Sequence, residues 1–250
     1  MSLTLDQEPQ TDSDLKTIKS WSHSRWENFR KCAHRAELLY IRKLEEPRPP
    51  LREGQTEYAN DRGTRVHEAG EMYLKGGVEL LPELQAFAPE YARLRELADQ
   101  GKVSIEGEWG FDVAWRPVAY LSPDCWLRVK IDYKVTMDPT WVVIIDLKTG
   151  KKNGNEIKHA EQTQLYTVAT VMRFPEIQRV TTELWYADQD DLTRVEYTRD
   201  QALRFFKAWN EHGFAITQET EFKPNPNKFS CQYCRFSPKN GGNGVCPVGV

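Results

Sequence analysis

Two aspartates and a lysine lie where they could bind a metal ion and act on a phosphate group. Asp132 ends the apolar stretch that begins at Leu127, and Asp146 ends a second such stretch, with Lys148 two residues further along the chain. Carboxylate oxygens are the ligands that Mg²⁺ prefers, and a nearby ammonium group can stabilise charge on a phosphate or position a water. The alternative interpretation is a pair of solvated aspartates at a sheet edge, with Lys148 as their ion pair.

The two aspartates are predicted to lie on adjacent strands. Residues 126–136 and 141–148 are rich in Val, Ile, Trp and Tyr, which is typical of β-strands, and residues 137–141 supply the turn between them. Because side chains alternate between the two faces of a strand, Asp146 and Lys148 must point to the same face.

The turn determines which residues of the two strands face each other. With a three-residue loop at 138–140, Met137 faces Trp141, and the same register places Asp132 directly across from Asp146. Two carboxylates about 5 Å apart repel each other unless a cation lies between them. The hairpin is therefore compatible with a cation site as well as with solvated aspartates that pair with Lys148.

Three further side chains could serve the same site. His67 lies in a helix predicted over about 56–75, from which an imidazole nitrogen could bind the same cation. Gln162 and Tyr166 are four residues apart in a helix predicted over 156–173, so they share one helix face and could touch a phosphate or a base. Taken singly, each is equally typical of an ordinary surface or core residue.

The cysteines indicate a second site. Cys231, Cys234 and Cys246 lie within the last twenty residues, in a sequence without an export signal. A C-x-x-C pair with a third cysteine nearby then predicts a metal site before a disulfide. Cys32 is the candidate for a fourth ligand, because Cys125 falls in the region of predicted strands.

The order of the predicted elements indicates a mixed α/β fold. A capping box of Ser24 and Glu27 is predicted to open the first helix. Further helices are predicted over 82–99 and 200–218, and further strands over 103–115, 180–187 and 194–198. The predicted organisation is a polar arm at 1–19 and a single domain at 20–250, which is mainly helical at 20–100, has an αβ core at 101–200, and ends in a helix and a cysteine-rich tail at 201–250.

Composition and charge exclude several classes of protein. The net charge is −3, with 39% hydrophobic and 28% charged residues, which is typical of a soluble globular protein and not of a nucleic-acid coating protein. The longest purely apolar run, Trp141–Ile145, is too short to cross a bilayer. The sequence therefore predicts a cytoplasmic protein that does not associate with a membrane.

Taken in order, the motifs resemble the PD-(D/E)XK nuclease superfamily. They are most similar to its RecB-type branch, which includes AddB-type subunits and the CRISPR-associated and phage RecB-like exonucleases. The resemblance covers most of residues 20–246, and its motifs are Ser22-His23-Ser24 with Phe29 and Cys32, Gly63–Glu68, Asp132, Asp146–Gly150 and Gln162–Tyr166.

The resemblance implies a fold and a division of roles. The implied fold is a restriction-endonuclease-like core with a central mixed sheet flanked by helices. The implied ligands of Mg²⁺ or Mn²⁺ are His67, Asp132, Asp146 and the Leu147 carbonyl. Asp132, Asp146 and Lys148 would be catalytic, with Lys148 orienting the attacking water. Gln162 and Tyr166 would position the nucleic acid strand.

The cysteines resemble those of RecB-like nucleases that bind a [4Fe–4S] cluster through one cysteine of the first helix and three near the end. The implied ligands, in a structural role, are Cys32, Cys231, Cys234 and Cys246. This chain departs from the pattern in the eleven residues between Cys234 and Cys246, and in Ala33, where the family typically has proline. A structural Zn²⁺ site and free thiols stay open as alternatives.

The function implied by the resemblance is metal-dependent hydrolysis of DNA. An exonuclease that acts on single strands or DNA ends in recombination or repair is favoured, and a structure-selective endonuclease is the alternative within catalysis. A catalytically silent DNA-binding or assembly module is the alternative from another class. The expected partner is DNA, and a helicase or recombination partner and a homo-oligomer are compatible with this function.

Overall fold

The computed structural model describes residues 17–239 and 241–250. The chain divides into two compact units, a larger one at Pro50–His212 and a smaller one with described residues at 17–49, 213–239 and 241–250. The polar arm predicted at 1–19 lies outside the described residues except for its last three, of which Ile18 is buried.

The larger unit contains a six-stranded sheet with helices. Its helices are α3 (Ala59–Leu74), α4 (Ala88–Asp99), α5 (Glu156–Arg173), most of α6 (Arg199–Thr217) and a 3₁₀ helix (Pro82–Phe87). Its strands are β1 (Val103–Phe111), β2 (Pro117–Val118), β3 (Leu127–Asp138), β4 (Trp141–Lys148), β5 (Arg179–Tyr186) and β6 (Asp191–Thr198). The helix predicted at 156–173 is confirmed with the same bounds as α5.

The strand order is β2-β1-β3-β4-β5-β6. β4 and β5 are parallel, and the other neighbouring pairs are antiparallel. The parallel pair requires a crossover connection, which α5 provides. This mixed sheet, flanked by helices, confirms the predicted mixed α/β fold of the restriction-endonuclease type.

The β3–β4 hairpin has the predicted register but a different turn. Tyr133 pairs with Ile145, and the same register continues to Thr136 and Val142. Asp138 then pairs with Trp141, so the loop has two residues and β3 has a bulge between Thr136 and Asp138. The three-residue loop predicted at 138–140 is therefore wrong, because the Asp138 side chain accepts hydrogen bonds from the amide and hydroxyl of Thr140 and closes a tighter turn.

The first strand ends earlier than predicted. β1 stops at Phe111, whereas the prediction extended the strand to Trp115. The Asp112 side chain accepts hydrogen bonds from the amides of Ala114 and Arg116, each at 2.9 Å. Those bonds fold the chain into a turn that returns it as β2.

One core cluster of the larger unit lies between the sheet and the helices that precede it, and α5 contributes further buried residues. Its buried residues are Val66 and Leu74 of α3, Leu84 and Phe87 of the 3₁₀ helix, Tyr91 and Leu94 of α4, Tyr133 and Val135 of β3, Val143, Ile145 and Leu147 of β4, and Trp185 of β5. β4 is central, and its residues 142–147 are buried whichever face they point to. Asp146 therefore lies in a largely desolvated position.

The smaller unit begins with two short helices, α1 (His23–Lys31) and α2 (Ala33–Tyr40), and contains α7 (Lys228–Cys231) near the end of the chain. Ser22, with an extended backbone, caps α1 by accepting a hydrogen bond from the Arg25 amide. The capping box predicted at Ser24 is therefore wrong, since Ser24 lies inside the helix. Cys32 has an extended backbone that separates α1 from α2.

None of the helices in the described part of the chain is both long and apolar enough to cross a membrane.

Candidate active site

Asp146 and Lys148 form the centre of the candidate active site at the end of β4. Asp146 is buried, with 4% of its surface exposed, and its side chain forms an ion pair with the Lys148 ammonium. Its Oδ1 accepts a hydrogen bond of 3.0 Å from the Tyr166 hydroxyl. Its Oδ2 is buried and is the oxygen that contacts the Lys148 ammonium.

Asp132 lies beside Asp146 on the neighbouring strand. Its Oδ2 accepts a hydrogen bond of 2.8 Å from the Leu147 amide, and its Oδ1 lies 3.2 Å from His67 Nδ1. Leu147 thus contributes a backbone group to this site, while its side chain lies in the core. The contacts bring residues from α3, β3 and β4 together.

Close packing around Gly70 holds α3, and with it His67, against β3. A Cβ atom at Gly70 would lie 2.5 Å from the Tyr91 hydroxyl and 2.6 Å from the Tyr133 hydroxyl. These two hydroxyls are buried and lie 3.1 Å apart. Any side chain at position 70 would therefore push α3 away from the strand that carries Asp132.

Gln162 and Tyr166 contact the acidic and basic side chains of the site. Lys148 Nζ donates a hydrogen bond of 2.7 Å to Gln162 Oε1. Gln162 Nε2 donates to the Tyr166 hydroxyl at 2.5 Å and to Asp146 Oδ1 at 3.5 Å. One face of α5 therefore fixes the orientations of both Asp146 and Lys148.

The electrostatics of the site favour a bound cation. Burial and the charge of Asp132 raise the pKa of Asp146, although Lys148 opposes the shift. For His67, burial lowers the pKa, but the hydrogen bond and charge of Asp132 outweigh burial and leave it raised. Two adjacent carboxylates in a buried position are an arrangement that positive charge stabilises.

The residues present fit a divalent metal ion. His67, Asp132 and Asp146 provide one imidazole and two carboxylates, and the Asp146 carboxylate is buried. Oxygen donors suit Mg²⁺ and Mn²⁺, and imidazole is compatible with Mn²⁺. Single ligand atoms from these three residues do not all lie within 4.8 Å of one another in the described chain. The chemistry of the donors supports the fit.

Sequence reasoning missed two residues that shape this site. Gly70 interrupts a helical pattern, and a glycine inside a helix costs about 1 kcal/mol relative to alanine, which is a signal that packing requires it. Arg62 lies one residue before the recognised motif at Gly63–Glu68, and it contacts Thr149 beyond the end of β4. No sequence signal connects Arg62 with a residue 87 positions away.

The four cysteines predicted as metal ligands line one cavity of the smaller unit. The cavity has a volume of about 370 Å³, and its lining includes Cys32, Cys231, Cys234 and Cys246. No three of these described cysteines have sulfur atoms within 4.8 Å of one another. Burial raises the pKa of the Cys234 thiol, which disfavours its thiolate form without a bound cation.

Cys125, which the prediction left out of the metal site, belongs to the larger unit. It is buried, and its sulfur contacts the Leu127 carbonyl oxygen at 3.3 Å. This contact satisfies the thiol inside the protein core.

Comparisons with known proteins agree with this fold. A model of the PD-(D/E)XK nuclease superfamily matches residues 20–238. No curated protein matches the sequence significantly. The match to the family model covers both aspartates, Lys148, His67 and the α5 residues of the site.

Three solved structures resemble the chain at a distance. The structure of SSO0001 has 16% identity and a TM-score of 0.42, and the match covers 95% of this chain and 90% of that one. A Eubacterium rectale protein provisionally named an exonuclease has 12% identity and a TM-score of 0.45, with coverage of 94% and 91%. The alkaline exonuclease LHK-Exo of Laribacter hongkongensis has 15% identity and a TM-score of 0.33, with coverage of 80% and 86%.

Proposed function

Because the chain belongs to the PD-(D/E)XK nuclease superfamily, we propose that it is a metal-dependent deoxyribonuclease, with an exonuclease favoured. The observation that carries the proposal is the grouping of Asp132, Lys148 and His67 around the buried carboxylate of Asp146. This grouping provides the acidic, imidazole and ammonium groups that metal-assisted phosphodiester hydrolysis requires.

His67, Asp132 and Asp146, with the Leu147 carbonyl, would hold one or two Mg²⁺ or Mn²⁺ ions. When bound, such an ion lowers the pKa of a water and neutralises charge on the phosphate. Asp132 is held for this role by its hydrogen bond from the Leu147 amide. The hydrogen bond from Tyr166 to Asp146 Oδ1 orients this carboxylate, whose Oδ2 contacts the Lys148 ammonium.

Lys148 would orient the attacking water and stabilise charge on the phosphate. Its ammonium is half-buried and is directed by the hydrogen bond to Gln162 Oε1. The water oxygen forms a new bond to phosphorus, the bond to the leaving oxygen breaks, and that oxygen takes up a proton. No covalent intermediate with the enzyme forms.

Gln162 and Tyr166 would position the reacting groups in addition to the nucleic acid strand. Their hydrogen bonds reach Lys148 and Asp146, so they limit the freedom of both side chains before substrate binds. Preorganisation of this kind reduces the reorganisation that the reaction requires.

Cleavage of linear and circular DNA tests the proposed function and its mode. End-labelled linear single strands, linear duplexes and circular single strands would be incubated with Mg²⁺, with Mn²⁺ and with EDTA. We expect metal-dependent degradation of linear DNA, with the circles resistant because an exonuclease requires an end. Lys148→Met should lower the rate at least about 100-fold, whereas Lys152→Met, a lysine outside the site, should not.

Two results would overturn parts of this proposal. Metal-dependent cleavage of the circles would replace the exonuclease by an endonuclease. Tight DNA binding by the folded protein without cleavage in either metal would instead indicate a catalytically silent DNA-binding module.

We further propose that Cys32, Cys231, Cys234 and Cys246 bind a [4Fe–4S] cluster with a structural role. Its support is the shared cavity of about 370 Å³, which all four cysteines line. No three of their sulfurs lie within 4.8 Å of one another among the described residues, which disfavours a preformed zinc site. A tetrahedral Zn²⁺ site requires sulfur atoms about 3.8 Å apart, since each Zn–S bond is about 2.3 Å.

The charge of the cavity also favours a cluster. Its described lining includes no carboxylate and two basic residues, Lys31 and Arg35, of which Arg35 is paired with Glu46. A cluster held by four thiolates is an anion, so a lining without negative charge suits it.

Anaerobic purification of Cys32→Ser and Cys125→Ser variants tests the cluster. We expect the first to lose its colour, iron and labile sulfide, and the second to keep them. Bound zinc without iron or sulfide in the parent would replace the cluster by the zinc alternative.

A further inference from the structure

The Arg62 guanidinium joins three segments of the larger unit. Arg62 Nη1 donates a hydrogen bond of 3.0 Å to the Thr149 carbonyl oxygen and one of 2.9 Å to Asp188 Oδ2. Its Nη2 donates a bond of 2.7 Å to Asp188 Oδ1. Arg62 belongs to the first turn of α3, Thr149 follows β4, and Asp188 lies in the turn after β5.

Each of these segments is adjacent to a residue of the candidate active site. Arg62 precedes His67 by five residues on the same helix, and Thr149 directly follows Lys148. Ala187, which precedes Asp188, donates its amide to the Lys148 carbonyl oxygen at 2.9 Å. The contacts of Arg62 therefore connect the helix that carries His67 with the strand end that carries Lys148.

The close approach of α3 to the end of β4 supports this connection. A Cβ atom at Gly63 would lie 3.2 Å from Thr149 Oγ1, which is a tight contact. The first turn of α3 thus lies directly against the residue whose carbonyl Arg62 binds. A substitution at Arg62 would therefore disturb the contact between the start of α3 and Thr149.

The geometry of the contact distinguishes it from an ordinary surface ion pair. Exposed pairs contribute little to stability because water and salt screen them, and Arg62 and Asp188 are 28% and 33% exposed. A guanidinium that binds a carboxylate through two nitrogens and a carbonyl through one of them is fixed in direction as well as position. The Arg62 contact therefore contributes to the orientation of α3 relative to the end of β4.

We propose that Arg62 is a positioning residue, which holds the His67 helix in register with the Lys148 end of β4. This inference rests on the proposed nuclease function, because it assigns Arg62 a role in aligning the metal ligands and the ammonium of that site. Arg62 acts through α3 and Thr149 and does not itself contact the reacting atoms.

Three variants and one matched control test the proposal. Arg62→Gln removes the bidentate contact, Arg62→Lys keeps the charge but loses the planar geometry, and Asp188→Asn removes the carboxylate charge. Lys152→Met is the control, because Lys152 pairs with Asp191 at similar exposure without reaching α3. Circular dichroism would first establish that each variant is folded.

The measurements are Mn²⁺ affinity by electron paramagnetic resonance, and kcat and KM for a single-stranded DNA substrate. We expect Arg62→Gln to weaken Mn²⁺ binding about 10-fold and to lower kcat about 10- to 100-fold, since groups that orient metal ligands have effects of this size. KM should stay within about twofold. Arg62→Lys should fall between Arg62→Gln and the parent, and Lys152→Met should match the parent.

Hydrogen exchange provides a readout that depends on neither metal nor DNA. Arg62→Gln should speed exchange in the first turn of α3 and at residues 149–150, and Lys152→Met should not speed it in α3. A folded Arg62→Gln protein with parental exchange, Mn²⁺ affinity and kcat would overturn the proposal. If Arg62→Gln does not fold, the same criteria apply to Arg62→Lys and Asp188→Asn.

Failure of the proposed nuclease function would give results different from failure of the Arg62 proposal. A parent that neither binds Mn²⁺ nor cleaves DNA overturns the proposed nuclease function and with it the contribution of Arg62 to cleavage. The exchange data would then still decide whether Arg62 couples α3 to the end of β4.

Discussion

The candidate active site and the cysteine cavity bring distant residues together in different ways. In the active site, hydrogen bonds already connect the main side chains, as from Leu147 to Asp132 and from Tyr166 to Asp146. In the cavity, the four thiols share a lining, but no three of these described sulfurs lie within 4.8 Å. The difference shows that helices and strands position the active site, whereas irregular segments position most of the cysteines.

This contrast leads to different expectations for the divalent ion of the active site and for the cluster bound by the cysteines. Strand register and α5 hold the active-site residues, so their fold should persist when the divalent ion is removed. The cysteine segments have few regular elements, so a bound cluster should provide much of their stability, because metal binding is then coupled to folding.

The largest expected effect concerns the cysteine cavity. Cys246→Ser should remove the cluster and lower the free energy of unfolding of the smaller unit by more than about 4 kcal/mol, as loss of a structural metal can do. Denaturant unfolding followed by hydrogen exchange of residues 213–250 would measure this loss. Cys125→Ser is the control, and equal stability of Cys246→Ser and the parent would contradict the coupling of metal to folding.

A smaller effect is expected at the packing contact that positions His67. Gly70→Ala should lower the free energy of unfolding by about 1–3 kcal/mol, because the new methyl group would overlap two buried tyrosine hydroxyls. Gly77→Ala is the matched control, since its Cβ would meet its nearest neighbour at an ordinary 3.6 Å.

The Gly70→Ala substitution should lower activity as well as stability. The displacement of α3 should lower kcat by at least about 10-fold, while Gly77→Ala keeps both properties. A Gly70→Ala protein with parental stability and kcat would show that the site tolerates movement of α3, and that the active site is less rigidly placed than the comparison suggests.

A similar or smaller effect is expected from His159, which lies near the Lys148 end of the sheet. Burial and the charges of Lys148 and Lys158 lower the pKa of His159 to about 4, and its Nδ1 lies 3.0 Å from the Tyr186 hydroxyl. The pKa of a histidine is near 6.5 in the unfolded chain. The contribution of neutral His159 to the free energy of unfolding is therefore fully present above about pH 6.5 and is lost as the pH falls towards 4.

Urea unfolding at pH 7 and pH 5 would measure this loss. The His159 contribution to the free energy of unfolding should decrease by about 2 kcal/mol over that range. His159→Gln should remove this part of the pH dependence. An unchanged pH dependence in that variant would contradict the buried neutral state of His159.

The sequence predicted the regular parts of the molecule better than its turns and helix ends. The bounds of α5 follow from hydrophobic periodicity, which spans many residues. The register of β3 with β4 agrees with the prediction although the turn does not, because the bulge between Thr136 and Asp138 compensates for a loop that is one residue shorter. The tight turn at Asp138 and the cap at Ser22 depend on single side-chain hydrogen bonds, which compete closely with alternatives of similar sequence. The extended backbone at Cys32 has no comparable sequence signal.

The residues of the candidate site also divide into those that the sequence could place and those that it could not. Asp132, Asp146 and Lys148 could be placed together because alternation and register fix them. The contacts of Arg62 with Thr149 and Asp188 could not be predicted, because they depend on how α3 packs against two loops.

Single-turnover cleavage of an end-labelled DNA strand with Mn²⁺ tests the central claim most directly. The parent, Asp146→Asn and Lys152→Met would be compared after each is shown to be folded. The proposed site predicts cleavage by the parent and by Lys152→Met, and a loss of at least about 1000-fold in Asp146→Asn. Parental cleavage by Asp146→Asn would contradict the assignment of this carboxylate and of the active site around it.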